Sequence, residues 1–345
     1  MVKVAIAGGT SPTLGKAFTE AILATGKHEV VILSRHQSSE QINTKYGAPI
    51  ISTDYTSHNS LRDTISIQGP IHTLISVLKP LEPNEQITLH ESLLAAAQAA
   101  KVKRFIMSDW SLGPASHSKV NLLANKQDLH VLGQHHMTEA AVKGEHVVEC
   151  CTIQNGGFLE YLVQGCGDLH LQAGLEDDLM LDYLDIGKRK LVVPCRAPGK
   201  PARITLTSIR DIGKFVASSL DLPIGNMTGQ IGVAGWTGTY EDILNMLAQL
   251  DPPAKISPNY ITADECRANA GEKGKAFLEK MASVGEFDVE LFKAEMVAQM
   301  YACMCEEDHG GGLLDTSHGN SLNELCPKVE TVAVQDLLQR AWGRE

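Results

Sequence analysis

The sequence predicts an α/β protein built on a doubly wound parallel sheet, followed by a smaller helix-rich lobe. In residues 1–157, short and continuously apolar runs alternate with segments of helical periodicity, as a parallel sheet covered on both faces requires. A glycine-rich turn directly follows the first apolar run and precedes the first helical segment. Beyond Asn155 the rhythm changes to short strands between longer helical stretches, so residues 158–345 are expected to form a second lobe.

The individual elements are assigned from apolar runs and from the spacing of apolar residues. In the first half we predict strands over residues 2–7, 30–33, 49–52, 71–77, 104–107 and 147–153 and helices over about 15–25 and 85–100. In the second half we predict strands over residues 190–195, 204–207 and 230–233 and helices over residues 208–220, 240–250, 264–304 and 332–342. The stretch near 204–236 is expected to return to the core of the first domain.

Charge and composition argue against several classes of function. The formal net charge is −11 and no block is rich in lysine or arginine, whereas nucleic-acid binding needs a concentrated positive face. No run of about 18 apolar residues predicts a transmembrane helix, and the first glycine comes too early for a signal peptide. We therefore expect a cytoplasmic protein with no membrane association. The eight cysteines lack C-x-x-C spacing, so we expect reduced thiols and no metal site.

The turn from Gly8 to Gly15 is the clearest candidate for a ligand site. Glycines between a strand and a helix allow a tight turn, close approach of a pyrophosphate and close packing of the helix on the strand. The helix N-terminus then offers free N–H groups to the phosphates. Counted from Gly9, the middle glycine is replaced by Pro12; counted from Gly8, the turn holds one extra residue. We predict a Rossmann-type domain that binds a dinucleotide, the alternative being an ordinary turn without a ligand.

The end of the second strand indicates which dinucleotide is bound. Proteins that prefer NAD place a carboxylate there for the ribose diol, whereas this chain has Ser34 and Arg35. A guanidinium beside a hydroxyl suits a 2′-phosphate through charge-assisted hydrogen bonds. We therefore predict NADPH as the cofactor. The other interpretation of Arg35 is a solvated surface side chain.

The catalytic motif of many reductases with this fold is missing. Those enzymes use Tyr-x-x-x-Lys, in which the lysine lowers the pKa of a tyrosine that delivers a proton. No tyrosine of this chain has a lysine four positions later; the tyrosines are Tyr46, Tyr55, Tyr161, Tyr183, Tyr240, Tyr260 and Tyr301. The usual carbonyl-reductase chemistry is therefore not encoded.

Six short motifs follow one another along nearly the whole chain. They are Gly8-Gly9-Thr10 with Leu14-Gly15, Asp54-Tyr55, Arg104-Phe105-Ile106-x-Ser108-Asp109-Trp110, Asn155-Gly156-Gly157-Phe158, Thr205-x-Thr207-Ser208-x-x-Asp211-Ile212-Gly213-x-Phe215-Val216 and Leu325-Cys326-Pro327-Lys328-Val329. In this order and spacing they resemble the NmrA-like and isoflavone-reductase-like branch of the atypical short-chain dehydrogenases. The resemblance implies a Rossmann domain, a small substrate lobe, NADPH and reductions in secondary metabolism. The chain departs from the family at Trp110-Ser111-Leu112-Gly113, where an acid-phenylalanine-glycine run is more usual.

The site residues are assigned from the turn and from the family motifs. Those predicted to bind the cofactor are Gly8, Gly9, Thr10, Ser11, Pro12, Thr13, Leu14, Gly15, Ser34, Arg35, Asp54, Ser76, Val77, Ser108, Asn155 and Phe158. Those predicted to contact a small-molecule substrate are Trp110, Gly156 and Tyr161. Asn155 and Phe158 would form a wall of the nicotinamide pocket, unless Phe158 packs into the core instead. The oligomeric state, monomer or homodimer, stays open.

The resemblance also implies a lysine that acts as general acid or base soon after the Ser108 motif. Lys126 is the best match, and a lysine can serve if burial or a neighbouring charge pulls its pKa toward neutrality. Lys119 and the adjacent pair His135 and His136 compete for the role. Lys126 as a solvated helix residue is the structural alternative.

The predicted function is an NADPH-dependent reductase of a small aromatic or polyketide-like metabolite, with Lys126 as the proton donor. The first alternative is a non-enzymatic regulator that senses the redox state of NADP(H). The second is an isomerase or cyclase that keeps the fold but performs no redox step. The altered glycine turn keeps the second alternative open.

Overall fold

A computed structural model describes residues 1–35, 46–79, 83–163, 184–185, 189–251, 253–284, 288–306, 312–314, 316 and 320–342. The strands are β1 (Lys3–Ala7), β2 (Glu29–Ser34), β3 (Ile50–Ser52), β4 (Thr73–Ser76), β5 (Arg104–Met107), β6 (Glu149–Gln154), β7 (Gly157–Phe158), β8 (Leu184–Asp185), β9 (Lys190–Ala197), β10 (Lys200–Pro201), β11 (Arg203–Thr207), β12 (Gly229–Gly232), β13 (Trp236–Thr239) and β14 (Ser257–Thr262). The helices are α1 (Leu14–Ala24), α2 (His58–Ile67), α3 (Pro83–Ala99), α4 (Lys126–Lys143), α5 (Ile209–Ser219), α6 (Tyr240–Ala248), α7 (Ala263–Val284), α8 (Val289–Cys305), α9 (Leu322–Leu325) and α10 (Val334–Trp342). None of these helices has both the length and the apolar character needed to cross a membrane.

The central sheet has seven strands in the order β12-β6-β5-β4-β1-β2-β3, and every neighbouring pair is parallel. Strand β1 lies between β2 and β4, so the chain leaves it toward one edge and later returns to build the other edge. Ligands of doubly wound sheets bind at such a switch point, outside the carboxyl ends of the strands. The topology therefore predicts a ligand site at the carboxyl ends of β1 and β4.

Both faces of the sheet are buried, which explains the continuously apolar strands. In β1, Val4 and Ile6 pack in the cluster that contains Phe18 of α1, whereas Ala5 packs in the cluster that contains Leu61 of α2. Burial of one such large side chain contributes about 2 kcal/mol relative to exposure. The α/β, doubly wound fold class is confirmed, and each strand predicted for the first half is present within a few residues.

The second half of the chain also contributes to the central sheet and to the helical layer that covers it. Strand β12 pairs with β6 at the sheet edge, and α5 packs along α1. The close approach of these helices requires Gly213, since a Cβ there would lie 2.7 Å from the carbonyl oxygen of Ala17. Residues after 157 are thus structural parts of the central sheet and its covering layer.

The chain also forms two small sheets and the long helices α7 and α8. One sheet places β9 between β10 and β14, with β8 also pairing with β9, and the other places β11 between β7 and β13. The helical pattern predicted over 264–304 proves to be two helices, α7 and α8, packed against each other. Helices α2, α4 and α9 and strands β7, β8, β10, β13 and β14 were not among the elements whose bounds were predicted from the sequence.

A buried ion pair lies at the end of the sheet opposite the switch point. Arg104, which is fully buried, donates from Nε to the carboxylate of Glu149, and its other nitrogens donate to the carbonyl oxygens of Ser219, Leu222 and Pro223. The Glu149 carboxylate also accepts the backbone N–H groups of Gly225 and Met227, at 2.6 and 2.9 Å. The pair therefore fixes the turn between α5 and β12.

Candidate active site

A cleft of about 1030 Å³, counted to its open mouth, lies at the carboxyl ends of β1, β4, β5 and β6. Its apolar wall is formed by Leu14, Val77, Trp110, Leu112, Leu122, Leu123, Phe158, Tyr161 and Met300. Its polar side chains are Ser11, Thr13, Lys79, Gln86, Ser108, Asp109, Ser111, Lys126 and Asn155. A cleft with mostly apolar walls and a few converging polar groups is the usual form of a small-molecule site.

The turn after β1 depends on three of its glycines. Gly8 has a φ of +79°, in the left-handed region that favours glycine. A Cβ on Gly9 would lie 3.0 Å from the side chain of Ile32, and one on Gly15 would lie 2.7 Å from the carbonyl oxygen of Gly9. These glycines therefore allow the tight turn and the close contact between helix and strand that a dinucleotide turn requires.

The same turn leaves donors free at the start of α1. Within the part of the chain that the structure describes, the N–H groups of Leu14 and Gly15 have no acceptor. The next amide, on Lys16, bonds back to the carbonyl oxygen of Ser11 at 2.9 Å. Free N–H groups at a helix N-terminus are a ready site for an anion. This cradle fits a phosphate group of a dinucleotide.

The extra residue of the turn is accommodated away from the cleft. Pro12 does not line the cleft; it lines a separate groove between α1 and α5, whereas Ser11 and Thr13 on either side of it face the cleft. The hydroxyls of Ser11 and Thr13 are 2.9 Å apart. The Thr10 carbonyl oxygen accepts a hydrogen bond of 3.1 Å from the hydroxyl of Tyr46. The lack of an N–H on Pro12 therefore does not reduce the number of free N–H groups at the start of α1.

The residues at the ends of β2 and β3 lie outside the cleft. Ser34 is buried at the end of β2, and Arg35, which follows it, is exposed. Asp54 is also exposed, and its carboxylate accepts the N–H and hydroxyl of Thr56, at 2.9 and 2.7 Å. These hydrogen bonds hold the pKa of Asp54 below its usual value. Its carboxylate is engaged within its own turn, while Arg35 is exposed at the end of β2.

Lys126 begins helix α4 and lies in the wall of the cleft, with 7% of its surface exposed. Its Nζ donates a hydrogen bond of 2.6 Å to the carbonyl oxygen of Ser108. Burial lowers the pKa of Lys126 to about 8; the nearby Asp109 carboxylate opposes this fall and the charge of Lys79 adds to it. An ammonium with such a pKa can release a proton near neutral pH.

The carbonyl group that holds Lys126 is itself fixed by helix α3. Gln86 donates from Nε2 to the Ser108 carbonyl oxygen at 2.9 Å, and the Ser108 N–H donates to Nε2 of His90 at 3.2 Å. The other ring nitrogen of His90 lies 2.7 Å from the Gln86 carbonyl oxygen and so carries the proton. Burial lowers the pKa of His90 to about 4, which keeps the ring neutral. The end of β5 is therefore a rigid support for the ammonium.

Asp109 is a buried acid beside Lys126 for which the sequence predicted no role. One carboxylate oxygen accepts the hydroxyl of Ser111 at 2.5 Å and lies 3.4 Å from Nε2 of His117; the other accepts the amide of Gln154. Burial raises the pKa of Asp109, but the hydrogen bond and charge of His117, together with Lys126 and Ser111, outweigh it and hold the pKa below its usual value. Asp109 therefore carries a negative charge in the cleft wall.

Trp110 forms the inner wall of the cleft from an unusual backbone conformation. Its φ is +47°, which costs about 1–3 kcal/mol for a bulky side chain. The strain is held by the backbone N–H, which bonds to Ile153, and by the indole N–H, which donates to the Ser76 carbonyl oxygen at 2.8 Å. The ring packs on Phe18, with centroids 4.8 Å apart. Ser76 therefore meets the site through its carbonyl group, and Trp110 closes the bottom of the cleft.

The turn after β6 supplies a further part of the cleft wall. Asn155 is 1% exposed, and its Oδ1 has no hydrogen-bond partner among the described residues, while its amide nitrogen donates to the Gly156 carbonyl oxygen. Gly156 has a φ of +69°, and a Cβ there would overlap the Thr205 carbonyl oxygen. The rings of Phe158 and Tyr161 meet at 5.6 Å between centroids, and both line the cleft. The orphaned oxygen of Asn155 is a site for a donor from a ligand, such as a carboxamide.

The alternatives to Lys126 lie elsewhere. Lys119 does not line the cleft, and its Nζ contacts Glu306 at 2.5 Å. His135 is exposed and lies 3.7 Å from Glu139 on the same helix, and His136 is half-buried there, away from the cleft. Of the four residues proposed for proton transfer, Lys126 is therefore the one that lines the cleft.

Comparison with known proteins identifies the family. A model of the NmrA-like family matches residues 2–333. The chain belongs to the NmrA-like family. The family predicted from the sequence motifs is thereby confirmed.

Two fungal relatives of this NmrA-like chain bear names that state an activity. It is 27% identical over 250 residues to "Oxidoreductase BOA1" of Botryotinia fuckeliana, which covers 72% of this chain and 76% of the relative.

The second fungal relative matches over almost the full length of both proteins. "Oxidoreductase swnN" of Metarhizium robertsii is 23% identical over 359 residues, covering 99% of this chain and 98% of the relative. Among solved structures, the NmrA-like chain resembles the leucoanthocyanidin reductase–NADPH complex of Vitis vinifera, with a TM-score of 0.68, 13% identity and 98% and 99% of the two chains covered. It also resembles the NADPH complex of the quinone oxidoreductase QOR2 of Escherichia coli, with a TM-score of 0.64, 16% identity and the same coverage.

Proposed function

We propose that this NmrA-like protein is an NADPH-dependent reductase of a small, apolar, aromatic or polyketide-like molecule, with Lys126 as the proton donor. The observation that carries the proposal is the buried ammonium of Lys126, held 2.6 Å from the Ser108 carbonyl oxygen in the wall of an apolar cleft at the switch point of the sheet. The oxidoreductase names of the two fungal relatives and the NADPH bound to the two structural neighbours support the same class of reaction.

Three features of the cleft fit a nicotinamide dinucleotide. The free N–H groups of Leu14 and Gly15 suit its pyrophosphate, and the exposed guanidinium of Arg35 suits a 2′-phosphate. The orphaned Oδ1 of Asn155 suits the carboxamide N–H of the nicotinamide. When bound, the cofactor supplies the hydride. Residues 1–157 would hold it, and the lobe of residues 158–345 would cover the substrate through Phe158, Tyr161 and Met300.

The role of Lys126 is to supply the proton that accompanies hydride transfer. With a pKa of about 8, its ammonium is mostly protonated at pH 7 and can donate to an oxygen or carbon of the reduced substrate. Ser108 positions the ammonium through its carbonyl group, which Gln86 also holds. Trp110, Phe158 and Tyr161 line the cleft and would offer flat apolar surfaces to an aromatic substrate.

The test combines cofactor binding with turnover. Calorimetry with NADPH and NADH, and NADPH oxidation with quinones and aromatic ketones, should be measured for the wild type, Lys126→Met and Lys119→Met. We expect tighter binding of NADPH than NADH, and a loss of turnover in Lys126→Met of about 10²–10⁴-fold. Lys119→Met is the matched control, because Lys119 lies in the same connection but contacts Glu306 outside the cleft.

Two other results would redirect the assignment. Tight binding of oxidised and reduced cofactor with different affinities, without turnover of any substrate, would contradict the reductase and support a redox-sensing regulator. Failure of every dinucleotide to bind would contradict both and leave a non-redox isomerase or cyclase. Replacement of Arg35 by Ser should weaken NADPH binding at least tenfold while leaving NADH binding nearly unchanged, since one charge-assisted phosphate contact is worth about 1.5–3 kcal/mol.

A further inference from the structure

The segment that follows β5 brings a buried acid, a hydroxyl and an imidazole together, and Asp109 and Ser111 line the same cleft as Lys126. Ser111 donates to Asp109 at 2.5 Å and lies 3.0 Å from Nε2 of His117, and Nε2 in turn lies 3.4 Å from the Asp109 carboxylate. The three side chains are between 2% and 6% exposed. Gln154, at the end of β6, binds the second carboxylate oxygen. The Asp109 carboxylate is thus held from two strand ends.

The charged and titratable groups around Lys126 come from several elements. Lys79, after β4, is an exposed cation at the cleft, and Asp109 is the acid in the cleft wall. The neutral ring of His90 lies behind Ser108 on α3, and burial lowers the pKa of His130 on α4 despite the neighbouring Asp109 carboxylate. Tyr161 faces the cleft from the lobe. Among the charged groups of the described part of the cleft, Asp109 is the one of opposite sign to Lys126.

We propose that Asp109 is the positioning residue of the site: its buried carboxylate, in the same cleft wall and one residue after the Ser108 carbonyl group that binds Nζ, is the counter-charge that keeps Lys126 protonated. The expected effect on turnover rests on the proposed function, whereas the expected effect on the protonation of Lys126 does not. A buried ammonium without a nearby anion loses its proton, because burial disfavours the charged form. Ser111, His117 and Gln154 keep Asp109 ionised, and Asp109 keeps Lys126 a competent acid.

The direction of the effect follows from the sign of the charge. Removal of the Asp109 charge leaves burial and the Lys79 cation acting on Lys126, and both lower its pKa. The asparagine variant keeps the shape of the side chain, and the Gln154 amide can turn to meet the new donor. The expected change is therefore electrostatic: the fraction of Lys126 that is neutral at pH 7 is larger in Asp109→Asn than in the wild type.

The experiment measures the protonation of Lys126 without relying on activity. Trace labelling with acetic anhydride from pH 6 to 10.5, read by peptide mass spectrometry, gives the pH at which the Lys126 amine becomes reactive. We expect a midpoint near pH 8 in the wild type and a midpoint lower by about one unit or more in Asp109→Asn. The matched control is Asp128→Asn, which removes an exposed carboxylate two residues after Lys126 and should leave the midpoint unchanged.

An unchanged midpoint in Asp109→Asn, or an equal shift in Asp128→Asn, would overturn the proposal. If Asp109→Asn does not unfold cooperatively in urea, Asp109→Ser supplies the same loss of charge with a smaller side chain and the same expected shift. Should the reductase activity be found, the basic limb of its pH profile should move with the labelling midpoint. A labelling shift in a protein that turns over no substrate would support the role of Asp109 and count against the proposed function alone.

Discussion

Gly15 faces the carbonyl oxygen of Gly9 across the turn that joins β1 to α1, and a Cβ at position 15 would lie 2.7 Å from that oxygen. Real Cβ atoms almost never approach an oxygen so closely, and the obstacle is backbone that cannot rotate away. The free amides of Leu14 and Gly15 stand at the same place. The same backbone geometry of this turn therefore packs the helix on the strand and presents N–H donors to a phosphate.

Gly15→Ala should damage both properties. The turn must shift by several tenths of an ångström, so we expect NADPH affinity to fall more than tenfold and the free energy of unfolding to fall by about 1–3 kcal/mol. Calorimetry and urea unfolding measure the two effects. Gly271→Ala in α7 is the control, because no atom lies within 4 Å of its Cβ and alanine should stabilise the helix by up to about 1 kcal/mol. Unaltered NADPH binding in Gly15→Ala would show that the turn does not hold the cofactor.

The pH dependence of turnover should report Lys126. A general acid works only while protonated, so kcat/KM should fall above about pH 8, where Lys126 loses its proton, with a slope of one proton. Lys126→Arg keeps the charge but cannot release a proton, so it should stay inactive from pH 6 to 10 while still binding NADPH. A wild-type profile that is flat from pH 7 to 10 would contradict the assignment of Lys126.

The pH dependence of stability should report His90. Its pKa in the folded protein, about 4, is below the usual value of 6.5, so the unfolded chain takes up a proton in that interval and the folded one does not. The stability contributed by the neutral ring is complete above pH 6.5 and is lost as the pH falls toward 4, amounting to about 3 kcal/mol. Urea unfolding of the wild type and His90→Gln over pH 4–7 tests this; the variant should lose less stability, and parallel curves would refute it.

The Arg104–Glu149 pair should be worth far more than a surface pair. Glu149→Gln leaves the buried guanidinium without its counter-charge, so unfolding should become easier by about 3–5 kcal/mol. Glu139→Gln breaks an exposed pair with Lys143, 3.4 Å apart on α4, and should cost about 0.5 kcal/mol or less. Urea unfolding of the two variants measures the difference, and equal effects would show that the buried pair is not the anchor of its turn.

The local sequence was sufficient to predict those elements whose structure depends on their own residue pattern. The apolar runs of the sheet and the glycine turn required only periodicity and sterics to predict, and the lysine in the cleft required a family motif. Helix α2 was missed because only Leu61 and Ile65 mark its buried face, although Ser57 caps its first turn by accepting the Ser60 N–H. Strands β13 and β14 were missed because glycine, proline and polar residues interrupt their apolar pattern, and pairing with distant strands decides their conformation.

The role of Asp109 could not be predicted for a similar reason. Its position directly after β5 was visible within the family motif, and an acid at a strand end is a signal worth weighing. Its state, however, depends on Gln154, 45 residues away, and on His117 folding back over it. Likewise, Pro12 was predicted to bind the cofactor with the rest of the turn, and only the three-dimensional path shows that it faces the groove on the other side.

The pairing of β12 with β6 has a consequence for how the protein is made. The first six strands emerge from the ribosome in order, but the edge of the sheet beside β6 stays open until Gly232 has been translated. Helix α5, which covers α1, is also synthesised late, so the nascent chain exposes apolar surface for many seconds at about 5–20 residues per second. A fragment that stops at residue 157 would retain that exposed edge, and we expect it to aggregate or to bind chaperones.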